Sequence, residues 1–235
     1  MEKVLILFSG GKDSFLTSLL LLEQGFCIYL VTYENGYGLN SKAAVSMAKR
    51  LRKKYGEDRV KVLGVKNISP IIREFFRMYY NLLPSEIIDE FGEVTISQFN
   101  CLSCRLSMYI VTIILCKQLT IKYVSDGARK SQLFAIEQDE FLNRFVELFK
   151  EYGIDILFPV KDIDDDFDLK NQILIRGFVP KTYEPQCLLG MPIKGKELDE
   201  KVLTGSLNIY DKLLKDKAYE LIDKYKNVDI SGEYI

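Results

Sequence analysis

Two groups of residues in this chain have the types and spacing that could do chemistry. One is the hexapeptide SGGKDS at residues 9–14, which combines two glycines with hydroxyl, ammonium and carboxylate groups. The other is a set of three cysteines, two of them in a C-x-x-C pair: Cys101, Cys104 and Cys187. The sequence contains no histidine. Nucleophilic pairs of the Ser-His or Cys-His kind are therefore excluded, and any metal must take cysteine, carboxylate or backbone ligands.

The hexapeptide joins an apolar run at residues 3–8 to a leucine-rich helical pattern. Gly10 and Gly11 lack a Cβ, so their backbone N–H groups can approach anionic oxygens closely. A helix that begins near Asp13 adds unpaired N–H groups and the positive end of its dipole. The remaining members are polar and suited to phosphate: Ser9, Lys12 and Ser14. The pattern predicts a phosphate-binding loop, and the alternative is an ordinary tight turn with a helix cap.

The spacing differs from the GxxxxGK[ST] and GxGxxG loops, and the hexapeptide resembles the SGGxDS signature of the PP-loop superfamily, the N-type ATP pyrophosphatases. The resemblance implies that ATP is cleaved between its α- and β-phosphates, that an oxygen of a second substrate is adenylated, and that a nitrogen or sulfur nucleophile displaces AMP. Magnesium would accompany the ATP. By the same resemblance the pyrophosphate would be held by Ser9, Gly10, Gly11, Asp13 and Ser14, with Lys12 at its terminal oxygens.

The three cysteines leave several kinds of site open. A lone C-x-x-C is compatible with a zinc half-site, a redox pair, a cluster half-site or coincidence. Zinc usually takes four ligands, so three cysteines without histidine make it the weaker alternative, and a disulfide pair would leave Cys187 without a role. Three thiolates suit a [4Fe–4S] cluster with one open iron. The plain alternative is that these are incidental thiols.

The cysteine spacing is similar to the three-cysteine arrangement of PP-loop tRNA thiolases. The segment CLLGMPI at residues 187–193 resembles the Cys-Leu-x-x-x-Pro segment of the PP-loop sulfur transferases that build the nickel-pincer cofactor. These resemblances imply that a cluster binds sulfide and passes it to the adenylated substrate, or that Cys187 donates its own sulfur. The sequence departs from the family at residues 126–131, which are basic after Asp126 where the family usually carries acidic residues.

The elements that must position these residues follow a β-α-β-α-β rhythm. Strand patterns at residues 3–8, 26–33 and 60–65 alternate with helical patterns, which predicts an α/β, Rossmann-like, doubly wound parallel sheet with ligands at the carboxyl ends of the strands. By resemblance the fold would be that of the adenine nucleotide alpha hydrolases. Residues 82–98 have no clean period and are predicted to form a loop with a helical turn near Glu86. The next helix is predicted to start at Arg105, with the C-x-x-C pair at its entrance.

Residues 1–195 are expected to form the PP-loop domain and residues 196–235 a helical C-terminal extension. The charges of that extension fit a solvated helical face, and a dimerisation element that makes a homodimer is the alternative.

Other candidates lie where predicted strands end. Asp126 follows a strand and is expected to bind magnesium or the second substrate, or else to form a turn with Gly127, which is assigned to the nucleotide site. Tyr33 and Asn35 follow the second strand and are expected to flank adenine, with packing as the alternative for Tyr33. The adjacent cations Arg129 and Lys130 would grip an anionic substrate or be solvated.

Composition and charge limit the kinds of partner that we expect for this protein. The 235 residues have a net charge of −1 with mixed signs, which makes no global case for nucleic acid although a local patch could bind it. The longest apolar run, residues 108–116, is too short for a bilayer, so we expect a cytoplasmic protein without a membrane partner. The leading hypothesis is an ATP-dependent sulfur transferase acting on tRNA or a small molecule, with an unidentified sulfur donor. The alternatives are an amide- or nitrile-forming ligase that uses ammonia, and a non-catalytic ATP-binding subunit.

Overall fold

The computed structural model describes residues 1–38, 41–82, 84–132, 134–180, 187 and 198–228. Its centre is a sheet of five parallel strands in the order β3-β2-β1-β4-β5. The strands are β1 (Lys3–Leu7), β2 (Cys27–Glu34), β3 (Val60–Asn67), β4 (Tyr123–Ser125) and β5 (Asp155–Leu157). The chain turns outward in opposite directions from β1 and β4, so these neighbouring strands form the switch point at which such sheets bind ligands. The predicted doubly wound parallel sheet is confirmed.

Helices cover both faces of this sheet and account for its apolar strands. The helices are α1 (Lys12–Glu23), α2 (Ser41–Tyr55), α3 (Ser69–Tyr80), α4 (Pro84–Phe91), α5 (Ile96–Leu119), α6 (Asp139–Glu151), α7 (Asp166–Ile175), α8 (Glu200–Ile209) and α9 (Lys215–Tyr225), with a π-helical segment at Tyr210–Leu214 between the last two. Alternate β1 residues face opposite cores: Val4 and Ile6 pack with α1, α2 and α7, whereas Leu5 and Leu7 pack with α3, α5, α6 and α9. A strand buried on both faces is therefore apolar throughout.

The helix that carries the C-x-x-C pair begins earlier than the sequence analysis predicted. Residues 84–91 form a helix rather than a loop, and α5 begins at Ile96 rather than at Arg105. Thr95 caps α5, because its hydroxyl accepts a hydrogen bond from the backbone N–H of Gln98 at 3.2 Å. Thr-x-x-Gln is the spacing of a capping box, so this helix start was readable from the sequence. Cys101 and Cys104 consequently lie inside a helix and not in a loop.

Helix α5 is the central helix of one core. Its length and composition would allow it to cross a membrane, and no other helix in the described part of the chain has this property. Its most apolar 18-residue window is however 78% buried within the protein. This burial is what the core helix of an α/β domain requires.

The C-terminal helices pack on the same core as α5. Ile209 and Tyr210 at the end of α8, and Leu221 and Ile222 in α9, are buried in the cluster that contains the apolar face of α5. The boundary predicted between residues 195 and 196 falls in residues 188–197, which lie outside the described residues, and it stays a prediction.

Close backbone packing holds α8 against the chain before α5, and this contact can be tested. A Cβ built on Gly205 would lie 2.7 Å from the carbonyl carbon of Glu93 and closer still to its oxygen. In a helix without this contact, Gly→Ala would stabilise by up to about 1 kcal/mol. Because the neighbour is backbone and cannot turn away, we expect Gly205→Ala to destabilise the chain by about 1–3 kcal/mol, measured by thermal or urea unfolding.

The matched control is Thr204→Ala, at an exposed position on the same helix, which should leave the midpoint within experimental error or raise it slightly. An equal or higher midpoint for Gly205→Ala would show that α8 does not depend on this contact.

Candidate functional site

A cavity of about 600 Å³ opens at the carboxyl ends of the central strands and contains both groups that the sequence singled out. It is lined by the hexapeptide, by the exits of β2 and β4, by the first turns of α5 and by Cys187. The three candidate cysteines all line it, together with these members of the predicted nucleotide site: Ser9, Gly11, Lys12, Asp13, Ser14 and Tyr33. Gly10 is the member of the hexapeptide that is not among the lining residues. Asp126 and Gly127 line it as well. The predicted nucleotide loop and the predicted cysteine site therefore share one cavity.

The hexapeptide makes an abrupt turn from β1 into α1. Gly10 has a φ of +78°, and a Cβ there would lie 2.7 Å from the Cα of Ala44, so glycine is required on both counts. Gly11 is the N-cap residue of α1, and its N–H donates to the Ser9 hydroxyl at 3.2 Å. The hydroxyls of Ser9 and Ser14 are hydrogen-bonded at 3.1 Å. The turn thus places the first N–H groups of a 12-residue helix on the cavity wall.

The exit of β4 passes directly over this helix N-terminus. A Cβ at Gly127 would lie 2.8 Å from the backbone nitrogen of Ser14 and 3.0 Å from the carbonyl carbon of Asp13. Only glycine allows this approach. Gly127 therefore shapes the wall of the predicted nucleotide site through its backbone.

Lys12 of the hexapeptide and Arg129 both line the cavity and pair with the same carboxylate, that of Asp166. Lys12 Nζ lies 2.5 Å from Asp166 Oδ2, and Arg129 Nη2 lies 3.0 Å from Asp166 Oδ1. The hydrogen bond from Lys12 holds the pKa of Asp166 near 2, below its ordinary 3.8, and the bonds from Arg129 and Lys170 act in the same direction. Of the two adjacent cations predicted to grip an anion, Arg129 lines the cavity, whereas Lys130 pairs with Asp139 and Asp162. Sequence reasoning did not single out Asp166 because it lies within a longer acidic run.

A buried ion-pair network lies between the β4 exit and α5. Arg105 forms ion pairs with Asp126 and, at 3.3 Å, with Glu137. Tyr109 donates a hydrogen bond to Asp126 Oδ2 at 2.7 Å. The proposed roles of Asp126 toward magnesium or a substrate remain predictions, and what the structure places beside it is a guanidinium and a phenol.

Glu137 belongs to this network and escaped the sequence analysis. It lies in a short 3₁₀ turn, Ala135–Glu137, whose contact with Arg105 no local pattern indicates. Burial raises the pKa of Glu137 to about 7, against the opposing effect of Arg105. Its Oε2, and the Oδ1 of Asn100 in α5, are buried without a hydrogen-bond partner within the described residues. Both residues line the cavity, so two unpaired acceptors are available to a ligand there.

Two of the three candidate cysteines contact one asparagine, Asn35. Cys101 and Cys104 are one helical turn apart in α5, and Cys187 forms a backbone bridge with Gly38. The side-chain nitrogen of Asn35 donates to Cys104 Sγ at 3.4 Å and to Cys187 Sγ at 3.7 Å. Its oxygen accepts from two backbone N–H groups in the turn that follows β2, which fixes its orientation. Asn35 also lines the cavity, so its contact with adenine stays a prediction.

The sulfurs are not arranged as a metal cage. Within the ranges that the structure describes, no group of three or more Cys, Asp or Glu side chains is placed to hold a metal ion. Burial, together with the neighbouring sulfurs, raises the pKa of Cys101 to about 12, and burial also raises the pKa of Cys104. A metal ion bound here would have to displace the protons of these thiols. In this arrangement the described residues show no site for a zinc ion or cluster, and the segment 188–193 that supported the resemblance lies outside the described residues.

Tyr33 is held by α5. Its hydroxyl is hydrogen-bonded to Thr112 Oγ1 at 2.7 Å, and that hydroxyl in turn donates to the carbonyl of Met108 at 2.8 Å. Burial raises the pKa of the phenol. Because Tyr33 also lines the cavity, contact with adenine stays a prediction.

Comparison with known proteins shows structures with a similar fold but no protein with a related sequence. No protein-family model and no curated protein sequence matches the chain. A 4-thiouridine synthetase, solved as an RNA complex with bound ATP, is similar with a TM-score of 0.63 and 15% identity, over 97% of this chain and 54% of that chain. The U34-tRNA thiolase NcsA from Methanococcus maripaludis, solved with its [4Fe-4S] cluster, has a TM-score of 0.50 and 12% identity, over 97% of this chain and 71% of that chain.

A third similar structure is NMN synthetase from Francisella tularensis, with a TM-score of 0.47 and 13% identity, over 100% of this chain and 87% of that chain. The chain spans about half the length of the 4-thiouridine synthetase. At these identities the likeness concerns the fold alone. The chain has the α/β fold of the PP-loop ATP pyrophosphatases, with the five-stranded sheet order of the adenine nucleotide alpha hydrolases.

Proposed function

We propose that this protein is an ATP-dependent sulfur transferase that forms AMP and pyrophosphate. The observation that carries the proposal is that one cavity is lined both by the SGGKDS loop and by three cysteines from distant parts of the chain. The Arg105–Asp126 ion pair connects the two groups. Arg105 adjoins Cys104 in α5, and Asp126 adjoins Gly127, which touches the N-terminus of α1.

The chemistry would run in two steps within this cavity. An oxygen of the second substrate attacks the α-phosphorus of ATP, and the bond to the β-phosphate breaks to release pyrophosphate. A sulfur nucleophile then attacks the activated carbon, and AMP leaves with the original oxygen. The loop and the helix dipole of α1 would hold the departing pyrophosphate, the magnesium that accompanies ATP would neutralise its charge, and the wall formed by Cys101, Cys104 and Cys187 would hold or deliver the sulfur.

The charges beside the cysteines favour a neutral second substrate. Arg105 faces two carboxylates, Asp126 and Glu137, so this part of the cavity has no surplus positive charge for an anion. The unpaired Oδ1 of Asn100 needs a hydrogen-bond donor, and so does the Oε2 of Glu137 when that carboxyl is ionised. A carboxylate substrate, which an amide-forming ligase would activate, brings only acceptors. An amide-type carbonyl with an adjacent N–H, in a small molecule or in a base of tRNA, fits better, and the names of the similar thiolase and thiouridine synthetase agree with this class.

The proposal is tested by following the sulfur. Protein purified without oxygen is analysed for iron, zinc and acid-labile sulfide, and is then given ATP, magnesium, sulfide and either bulk tRNA or amide-type heterocycles. We expect equal amounts of AMP and pyrophosphate together with a thiolated product detected by mass spectrometry. Replacing Cys101, Cys104 and Cys187 with serine should reduce that product by about 100-fold or more, a loss of roughly 3 kcal/mol in transition-state stabilisation.

The matched control is Cys27→Ser. Cys27 is buried outside the cavity and donates to the carbonyl of Asp58, a bond that serine can also make. Formation of an amide from ammonia that survives the triple substitution would instead indicate a ligase. ATP binding without any pyrophosphate release, with every substrate supplied, would indicate a non-catalytic subunit.

The buried carboxyl of Glu137 gives the protein a predictable pH dependence. Its folded-state pKa of about 7 lies above its ordinary value of 4.5. Between these values the folded chain retains a proton that the unfolded chain has released, so rising pH favours unfolding across this window. Glutamine carries no charge, so Glu137→Gln should be more stable relative to the unsubstituted chain at pH 8 than at pH 5, by on the order of 1–3 kcal/mol.

The measurement is thermal unfolding of both proteins at the two pH values, with Glu140→Gln on the exposed side of α6 as the control. The control should show no such difference. If the effect of Glu137→Gln were the same at pH 5 and pH 8, the folded structure would not raise the pKa of Glu137, and the carboxyl would be ionised at both values.

A further inference from the structure

The cationic side chains of the cavity are all matched by carboxylates. Within the described residues, three lysine or arginine side chains line it: Lys12, Arg105 and Arg129. Arg105 is paired with Asp126 and Glu137. Lys12 and Arg129 are both paired with Asp166, and Arg129 also lies 3.0 Å from Asp13. A triphosphate entering this cavity would therefore meet no cation that lacks a carboxylate.

Asp166 is placed as a bound anion would be. It is the first residue of α7, and each of its carboxylate oxygens contacts a different cation, Lys12 through Oδ2 and Arg129 through Oδ1. Phosphate groups are bound in the same way, by two cations that contact two oxygens of one group. Asp166 lines the same cavity as the hexapeptide, so it and a phosphate bound there would compete for one place.

The two partners differ in their freedom to move. The side chain of Asp166 is 44% exposed, whereas that of Arg129 is only 9% exposed. The half-exposed carboxylate can turn into solvent, where water takes its hydrogen bonds, and an incoming phosphate would replace it as the partner of the two buried cations. The buried guanidinium would stay in place and would keep its direction toward the cavity.

Arg129 also retains a donor for a ligand. Its Nε lies 3.0 Å from Asp13 Oδ1, but the geometry is not that of a hydrogen bond, and this buried donor makes none within the described residues. A guanidinium presents its N–H groups in a planar fork that matches phosphate oxygens. The residue is therefore equipped to take a second anionic oxygen when one is supplied.

We propose that Asp166 occupies the place of a phosphate group while the nucleotide is absent, and that the pyrophosphate part of ATP displaces it and binds to Lys12 and Arg129 together. The inference rests on the proposed ATP site and extends it in two ways. It assigns phosphate binding to Arg129, which lies outside the hexapeptide. It also makes Asp166 an internal competitor: the apparent affinity for pyrophosphate is reduced because only the chains in which Asp166 is not paired with the two cations can bind it.

The alternative role for Asp166 is that it stays in place and binds magnesium brought by the nucleotide. The two roles predict opposite changes in phosphate affinity when Asp166 is replaced. Removing a competitor strengthens binding of the phosphate groups, whereas removing a magnesium ligand weakens binding when magnesium is present.

The experiment is calorimetric titration of the full chain with inorganic pyrophosphate, with and without magnesium. We expect Asp166→Asn to bind pyrophosphate about tenfold more tightly than the unsubstituted chain under both conditions. Arg129→Gln should bind about tenfold more weakly, and Arg129→Lys, which keeps the charge but loses the fork, should lie between. The double variant Asp166→Asn with Arg129→Gln should bind pyrophosphate little better than Arg129→Gln alone. Thermal unfolding of each variant checks that the fold is retained.

The matched controls are Asp168→Asn, exposed on the same helix, and Lys130→Gln, whose ion pairs lie outside the cavity. Both should bind as the unsubstituted chain does. Unchanged or weaker binding by Asp166→Asn overturns the inference while leaving the ATP site intact. An absence of pyrophosphate binding by every variant would overturn the proposed ATP site itself.

Discussion

The ion pair between Arg105 and Asp126 is the interaction on which the rest of the site depends. It joins the helix that carries two cysteines to the strand exit that touches the phosphate loop. Both side chains are largely removed from water, and buried charges are costly unless every one is paired and hydrogen-bonded. Glu137 and Tyr109 supply those additional contacts. The network therefore acts as a unit that sets the distance between the two halves of the cavity.

The charges of the cavity divide it into two regions with different preferences. Near the hexapeptide, the half-exposed carboxylate of Asp166 pairs with two cations that a polyanion could bind. Near the cysteines, the carboxyl groups of Asp126 and Glu137 face one guanidinium, and the unpaired oxygens of Glu137 and Asn100 remain. One region thus suits phosphate and the other suits a neutral donor-bearing group. This division agrees with the proposed reaction between ATP and an amide-type substrate.

Much of the fold could be predicted because its signals are local. The continuous apolar run of β1, the glycine-rich turn and the spacing of strands and helices all act over a few residues, and they predict the parallel sheet. The predicted start of α5 at Arg105 is too late because the polar residues before it resemble a loop, although Thr95 and Gln98 signal the true start. In the structure Phe99, Leu102 and Leu106 are buried on the core side of that helix, which is the period that identifies it.

The sequence by itself determined the phosphate-loop pattern, the parallel α/β architecture and the identity of the three cysteines, since each depends on residue types at short spacing. The tertiary structure decided which groups meet. The pairing of Lys12 with Asp166 spans 154 residues of chain, and the contact of Asn35 with Cys187 spans 152. It also decided that Arg129 faces inward whereas Lys130 faces outward. Charges and hydrogen bonds act across space, and no local pattern records which distant residue the folding of the sheet will bring beside them.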